Sequence, residues 1–177
     1  MKWYAAEDRT AVRVLHWVTD LAAVAVLALF LALFVGREIR MEGRSMEPVI
    51  QNGDIVLVNE ICYNFRKPRR LELAAAELTE GWVTVRRVVG LPGERIQIQD
   101  GAVYINGEKL AGIDPVEVPG LAASEIEIPE GYYFLLGDNT ESSEDSRSEQ
   151  VGLVPEEQLL GRAWFRIGGW TDMGLID

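Results

Sequence analysis

Cysteine and histidine are nearly absent from this chain: Cys62 and His16 are the only ones in 177 residues. A single cysteine excludes an intrachain disulfide and any cysteine-based zinc cluster. With one histidine besides, a zinc active site has too few ligands. Neither a metal nor a cofactor is expected. Basic residues are also in deficit, 17 Lys and Arg against 28 Asp and Glu, for a net charge of −11. Nucleic acids are gripped by clustered Lys and Arg, so this balance argues against such a partner. Positive charge gathers once, at Arg66, Lys67, Arg69 and Arg70, a loop-like stretch suited to solvent or to anionic lipid headgroups. There is no internal repeat and no low-complexity tract, and no signal for any oligomeric state.

Apolar residues, by contrast, come in one long run. Leu21 to Val35 is unbroken, and Val14, Leu15, Trp17, Val18 and Thr19 extend it. The total of about 20 residues suffices to cross a bilayer core as a helix. Asp20 is the one charge inside, near the N-terminal end, and Trp3, Tyr4 and Trp17 fit an aromatic belt on that side. A cleaved leader would end in a small-residue site, whereas this run ends in Phe34-Val35-Gly36-Arg37-Glu38. A core helix would carry a polar face that the run lacks. The expected organisation is a short N-terminal segment at 1–13, a transmembrane helix at 14–36 and one β-rich domain at 37–177. Flanking charges leave orientation open: Lys2, Arg9 and Arg13 precede the span, and Arg37, Arg40 and Arg44 follow it.

Beyond the span the pattern is mostly β. Ile55-Val56-Leu57-Val58 follows an Asn52-Gly53-Asp54 turn. Residues 83–89 alternate and are β-branched up to the Gly90-Leu91-Pro92-Gly93 turn. Arg95 to Ile105, with turns at Asp100-Gly101 and Asn106-Gly107, predicts a small β-meander inside an insertion at about 94–130. Residues 132–136 predict another buried strand. Leu71 to Leu78, rich in Ala, Leu and Glu, predicts the one helix of this domain.

Four segments carry chemistry, in order: Gly43-Arg44-Ser45-Met46-Glu47-Pro48; Asn52-Gly53-Asp54-Ile55-Val56-Leu57-Val58; Arg86-Arg87-Val88-Val89-Gly90-Leu91-Pro92-Gly93-Glu94; and Gly137-Asp138-Asn139, continuing to Ser143-Glu144-Asp145-Ser146-Arg147. Any one alone is weak. The ordered set resembles bacterial type I signal peptidases, the membrane-anchored serine endopeptidases that cut signal peptides from exported proteins, and is similar to the compact Gram-positive members. The likeness runs from the span to Gly161.

The resemblance implies peptide hydrolysis by a Ser-Lys dyad. Ser45 matches the nucleophile. Its backbone N–H, with Gly43 beside it, matches the oxyanion hole, whose donors act by being fixed where charge develops. Met46 and Pro48 would shape the adjacent turn. Ser143 matches the hydroxyl that orients the lysine. Asp145 and Arg147 match a structural ion pair beneath the site, and Asp138 the Gly-Asp-Asn motif. Substrates would be preproteins cut after small residues, the Ala-x-Ala rule. The membrane would be the cytoplasmic one, with the catalytic domain on its outer face.

One position departs from the pattern. The residue matching the lysine base is Arg86. A lysine pKa of about 10.4 falls readily on burial, while arginine starts above 12. Removing an arginine proton near neutral pH costs roughly 7–9 kcal/mol, against some 3–5 kcal/mol that a general base contributes. His16 precedes the span, roughly 30 Å from Ser45. Lys67 and Lys109 follow it, in a loop and a hairpin; Lys2 is at the far terminus. Two further departures are milder: Arg69-Arg70-Leu71 lacks the family's Gly-Asp turn, and Thr140 replaces a common arginine. Two functions remain open at this level. One is an endopeptidase with Ser45 as nucleophile; the other is an impaired relative that keeps the groove and serves as a membrane-bound binding factor for exported proteins.

Overall fold

A computed structural model describes residues 4–34, 36–79, 81–168 and 173–176. Lys2, Trp3 and Val35 lie outside them. α1 (Tyr4–Phe34) is, among the described residues, the one helix long and apolar enough to cross a membrane. Its side chains from Ala11 to Phe30 are all exposed, including Leu15, Trp17, Val24 and Leu27. An apolar surface this continuous is unfavourable in water and suits a lipid solvent.

The rest is β-rich, as expected. The strands are β1 (Arg37–Arg40), β2 (Ile55–Asn59), β3 (Leu73–Thr79), β4 (Trp82–Gly90), β5 (Arg95–Gln99), β6 (Ala102–Ile105), β7 (Glu108–Lys109), β8 (Ile126–Glu127), β9 (Tyr132–Leu136), β10 (Val154–Pro155), β11 (Leu159–Ile167) and β12 (Met173–Leu175). A one-turn helix, α2 (Cys62–Phe65), follows β2. The large sheet runs β1-β2-β11-β3-β4-β9-β10, with β12 on β11, and a separate small sheet runs β7-β6-β5-β8. Every pairing is antiparallel.

The small sheet is the meander expected around 94–130. Its tight turns place Asp100-Gly101 and Asn106-Gly107 at positive φ, the two-residue conformation whose twist matches the strands. It docks on β4 and β9 through Val89, Ile96, Ile128 and Phe134, all fully buried. Gly90 permits that contact, because a Cβ there would lie 2.3 Å from Ile128 Cδ1 and 2.9 Å from Phe134 Cβ.

One expectation fails. The Ala-rich tract at 71–78 is not a helix; Leu73–Thr79 is strand β3, between β11 and β4. Ala74, Ala75 and Ala76 are fully buried. Ala74 and Ala76 face a layer containing Tyr63, Tyr133 and Leu135, while Ala75 faces the core of Val56, Val58 and Val85. A central strand with bulky neighbours on both faces needs small side chains, and that overrides alanine's helix preference.

Candidate active site

Ser45 sits in the turn between β1 and β2. The loop is cinched at its base: Met41 N–H donates to Asp54 O and Gly53 N–H to Met41 O, each at 2.8 Å. Gly43 has φ +85°, the left-handed region that favours glycine, and its N–H donates to Asn52 Oδ1 at 3.0 Å. Met46 is 1% exposed and packs in the core with Ile50, Val56 and Val85. Ser45 is thereby held between a fixed turn and an anchored side chain. Its carbonyl accepts from Asn139 N–H at 3.0 Å, which ties it to the segment after β9.

Arg86 comes from β4 and is the largest fully buried side chain among the described residues. Its Nη1 donates to Ser45 Oγ at 2.9 Å. The same nitrogen lies 2.9 Å from Thr84 Oγ1 and 2.8 Å from Val85 O. Nε and Nη2 both donate to Glu144 O, at 3.1 and 3.0 Å. The Trp82 ring lies 5.7 Å from the guanidinium carbon, at cation–π distance. Residues 82, 84 and 86 share a face of β4 because strand side chains alternate. Every hydrogen-bond acceptor of this cation is neutral. Burial pushes its pKa down to about 10, opposed by the nearby Asp145 and Glu144 charges and helped by Arg147. It remains a cation at neutral pH. A guanidinium has donors and no acceptor, so Ser45 Oγ accepts a hydrogen bond here and its own O–H points elsewhere.

The fourth segment lies beneath this contact. Asp145 and Arg147 form a bidentate pair, Nε–Oδ1 2.8 Å and Nη2–Oδ2 2.9 Å. Asp145 Oδ2 also accepts from Gly137 N–H at 3.0 Å. Arg147 reaches out to Val118 O at 3.0 Å and Thr140 O at 2.8 Å. Asp138 pairs with Arg87, both distances 2.7 Å, and Arg87 also donates to Leu71 O. Gly137 allows the close approach: a Cβ there would lie 2.1 Å from Ser143 Oγ and 2.7 Å from Ser45 O.

The structure therefore brings Gly43, Ser45, Met46, Arg86, Asp138, Ser143, Asp145 and Arg147 into one region. Ser143 is present without the expected contact. Its Oγ is buried and finds no hydrogen-bond partner among the described residues, while Thr84 Oγ1 and Glu144 O hold residue 86 in its place. Thr84 was discoverable two positions before Arg86 by strand alternation. Arg87, the partner of Asp138, carried no such signal, because nothing local distinguishes it from Arg86. Lys67 is exposed in the loop after α2, and Lys109 is exposed on β7. Among the described residues no lysine hydrogen-bonds Ser45, nor is there a group of His, Cys, Asp or Glu placed to hold a metal ion.

A buried serine hydroxyl hydrogen-bonded by a strand arginine, in a β domain that follows an apolar helix, fits a membrane-associated protein of serine-hydrolase type. The narrower identity follows from comparison. The model of the family described as signal peptidase, peptidase S26, matches residues 14–170, and the chain belongs to that family. It is 32% identical over 158 residues to the "Probable signal peptidase I-2" of Synechocystis sp., covering 85% of this chain and 72% of that one. It is 28% identical over 177 residues to signal peptidase IB of Staphylococcus aureus, covering 90% and 92%. A crystal structure of a signal peptidase I from Enterococcus faecalis V583 matches at TM-score 0.45 and 29% identity, over 55% of this chain and 97% of the other.

Proposed function

We propose that this chain is a signal peptidase I-type serine endopeptidase that removes signal peptides after small residues, with Ser45 as nucleophile and Arg86 in the seat of the base. The 2.9 Å contact between Arg86 Nη1 and Ser45 Oγ carries the proposal, within a family whose relatives are named signal peptidases. α1 spans the cytoplasmic membrane, residues 1–13 stay inside, and residues 37–177 work on the outer face against membrane-borne preproteins. The Ser45 N–H beside Gly43 receives the developing oxyanion, and Asp145–Arg147 and Asp138–Arg87 brace the segments that meet at Ser45.

Magnitudes set the working range. With its pKa near 10, neutral Arg86 is about one molecule in a thousand at pH 7, a cost of about 4 kcal/mol at 1.36 kcal/mol per unit. Burial has removed about half of the cost expected for an ordinary arginine. What remains is close to the roughly 3–5 kcal/mol that a general base returns. Neutral guanidine can accept the Ser45 proton over the same hydrogen bond, and the guanidinium so formed sits where negative charge builds. The enzyme is accordingly slow at neutral pH and quickens in alkali.

The test uses detergent-solubilised full-length chain and a preprotein bearing an Ala-x-Ala site, from pH 7 to 10. Cleavage at that site by the native chain and its loss in Ser45→Ala is the expected result. Failure of the native chain at every pH, with cleavage gained in Arg86→Lys, would overturn the enzymatic assignment and leave a membrane-bound binding factor.

A further inference from the structure

As part of a guanidinium, Arg86 Nη1 carries two hydrogens. Three oxygens stand around it: Val85 O at 2.8 Å, Ser45 Oγ at 2.9 Å and Thr84 Oγ1 at 2.9 Å. Two hydrogens cannot serve three acceptors singly, so one of them is shared in a three-centre bond. The oxygens differ in kind. A carbonyl only accepts, while a hydroxyl both accepts and donates. Val85 O can therefore hold one hydrogen whether Arg86 is charged or neutral. The other falls to the two hydroxyls, Ser45 and Thr84.

Holding the cation in place does not require Thr84. Val85 O and Ser45 Oγ alone would give both Nη1 hydrogens an acceptor, and Nε and Nη2 go to Glu144 O. The hydroxyl is nevertheless built in firmly. Thr84 is 5% exposed and pairs in register with the fully buried Ala76 of β3. Two positions from Arg86, it projects from the same face of β4. Ser143, the hydroxyl expected to orient the base, has an Oγ with no hydrogen-bond partner among the described residues. The hydroxyl that touches the reacting nitrogen is that of Thr84.

We propose that Thr84 is a further catalytic residue, whose hydroxyl takes the shared Nη1 hydrogen away from Ser45 Oγ as the serine attacks. This rests on Ser45 and Arg86 acting as nucleophile and base. In the attacking step neutral Arg86 presents a lone pair at Nη1, the nitrogen bonded to Ser45 Oγ. The Ser45 O–H bond breaks and its proton joins that lone pair. The electron pair left on Oγ forms the bond to the scissile carbonyl carbon, and the carbonyl π pair moves to its oxygen. Nη1 then has two hydrogens again, one on Val85 O and one pointing between the hydroxyl oxygens. Left on Ser45 Oγ, the second would compete for electron density that the new bond needs. Thr84 Oγ1 lies at the same 2.9 Å and accepts it instead. When the scissile C–N bond breaks, its electron pair stays on nitrogen and takes this proton, and Nη1 is neutral once more. A carbonyl in place of Thr84 could not follow the cycle, because it would then face a lone pair; a hydroxyl turns and donates.

The test is steady-state cleavage of a preprotein bearing an Ala-x-Ala site by the detergent-solubilised full-length chain, from pH 7 to 10. Thr84→Val keeps the β-branched shape and deletes the hydroxyl, and Thr84→Ala deletes it without adding a methyl group. Thr84→Ser keeps it. Both deletions are expected to lower kcat about tenfold, the worth of one hydrogen bond, with KM unchanged, while Thr84→Ser stays within about twofold of the native chain. The drop should be uniform across pH. The hydroxyl partners Nη1 in both its forms, and the charges nearest Arg86, on Glu144, Asp145 and Arg147, are untouched. Native kcat in either deletion, with cleavage still lost in Ser45→Ala, overturns the role of Thr84 and leaves Ser45 and Arg86 in theirs. A loss that Thr84→Ser shares, or one that falls on KM, makes Thr84 a packing residue and overturns the proposal. Absence of cleavage by the native chain at every pH overturns the Ser45–Arg86 assignment, and the role of Thr84 with it.

Discussion

Three buried or nearly buried arginines meet around Ser45, and they are held in two different ways. Arg87 and Arg147 each face a carboxylate through paired hydrogen bonds, Asp138 and Asp145 respectively. Arg86 has only hydroxyls and backbone carbonyls. A buried charge with its counter-charge is fixed, because removing one partner strands the other. A buried charge held by neutral acceptors pays for desolvation without that return, which is why the Arg86 pKa falls. The paired arginines brace the site and the unpaired one is poised to act.

The comparison breaks most visibly by removing a brace. Arg147→Met should cost about 3–5 kcal/mol of stability by stranding the Asp145 carboxylate, read by denaturant unfolding. Arg86→Met should cost less, below about 2 kcal/mol. It removes a cation whose burial is unfavourable at every pH below about 10, and the loss comes from orphaned acceptors instead. Equal costs for the two variants would sink the contrast.

Arg86→Lys tests the active side. A lysine ammonium is shorter and makes fewer contacts, and Ser143 Oγ is a buried hydroxyl of the same region without a partner among the described residues. Cleavage at pH 7 should rise by about 10²–10⁴, the contribution of a well-tuned base, and Ser143→Ala should then blunt the gain while barely affecting the native chain. The pH profile supplies a finer test. Below the Arg86 pKa the neutral fraction grows tenfold per pH unit, so native kcat/KM should climb with that slope and level off near pH 10, whereas Arg86→Lys should level off lower. A flat native profile from pH 7 to 10 would rule out residue 86 as the base. A last effect concerns packing: Gly137→Ala should cost about 1–3 kcal/mol, because its Cβ collides with Ser143 and the Ser45 carbonyl. Its activity loss should exceed its stability loss.

Much of the fold was legible in local pattern. The apolar run of α1, the alternation of β4 and the Asp-Gly and Asn-Gly turns of the small sheet are properties of neighbouring residues, and each appears where the pattern put it. The Ala-rich tract at 71–78 misled because its composition records what its neighbours demand. Only the packing of Tyr63, Tyr133 and Leu135 on one face and of Val56, Val58 and Val85 on the other explains three successive buried alanines. At the site, spacing picked out positions that the fold brings into one region. It was silent on partners: Arg87 for Asp138, Thr84 and the Glu144 carbonyl for Arg86, and no partner for Ser143.

By itself the chain determined an apolar helix, a β domain, the order of four motif segments and an arginine at position 86, in the β-branched strand that leads to its closing turn. These depend on composition and on spacings of a few residues. Tertiary structure decided what that arginine does. Ser45 and Arg86 are 41 positions apart, and Glu144 lies 58 beyond Arg86. Whether they touch, how deeply the charge is buried and which hydroxyl is left unpaired depend on strands crossing from distant parts of the chain, and those contacts set a pKa no local pattern encodes.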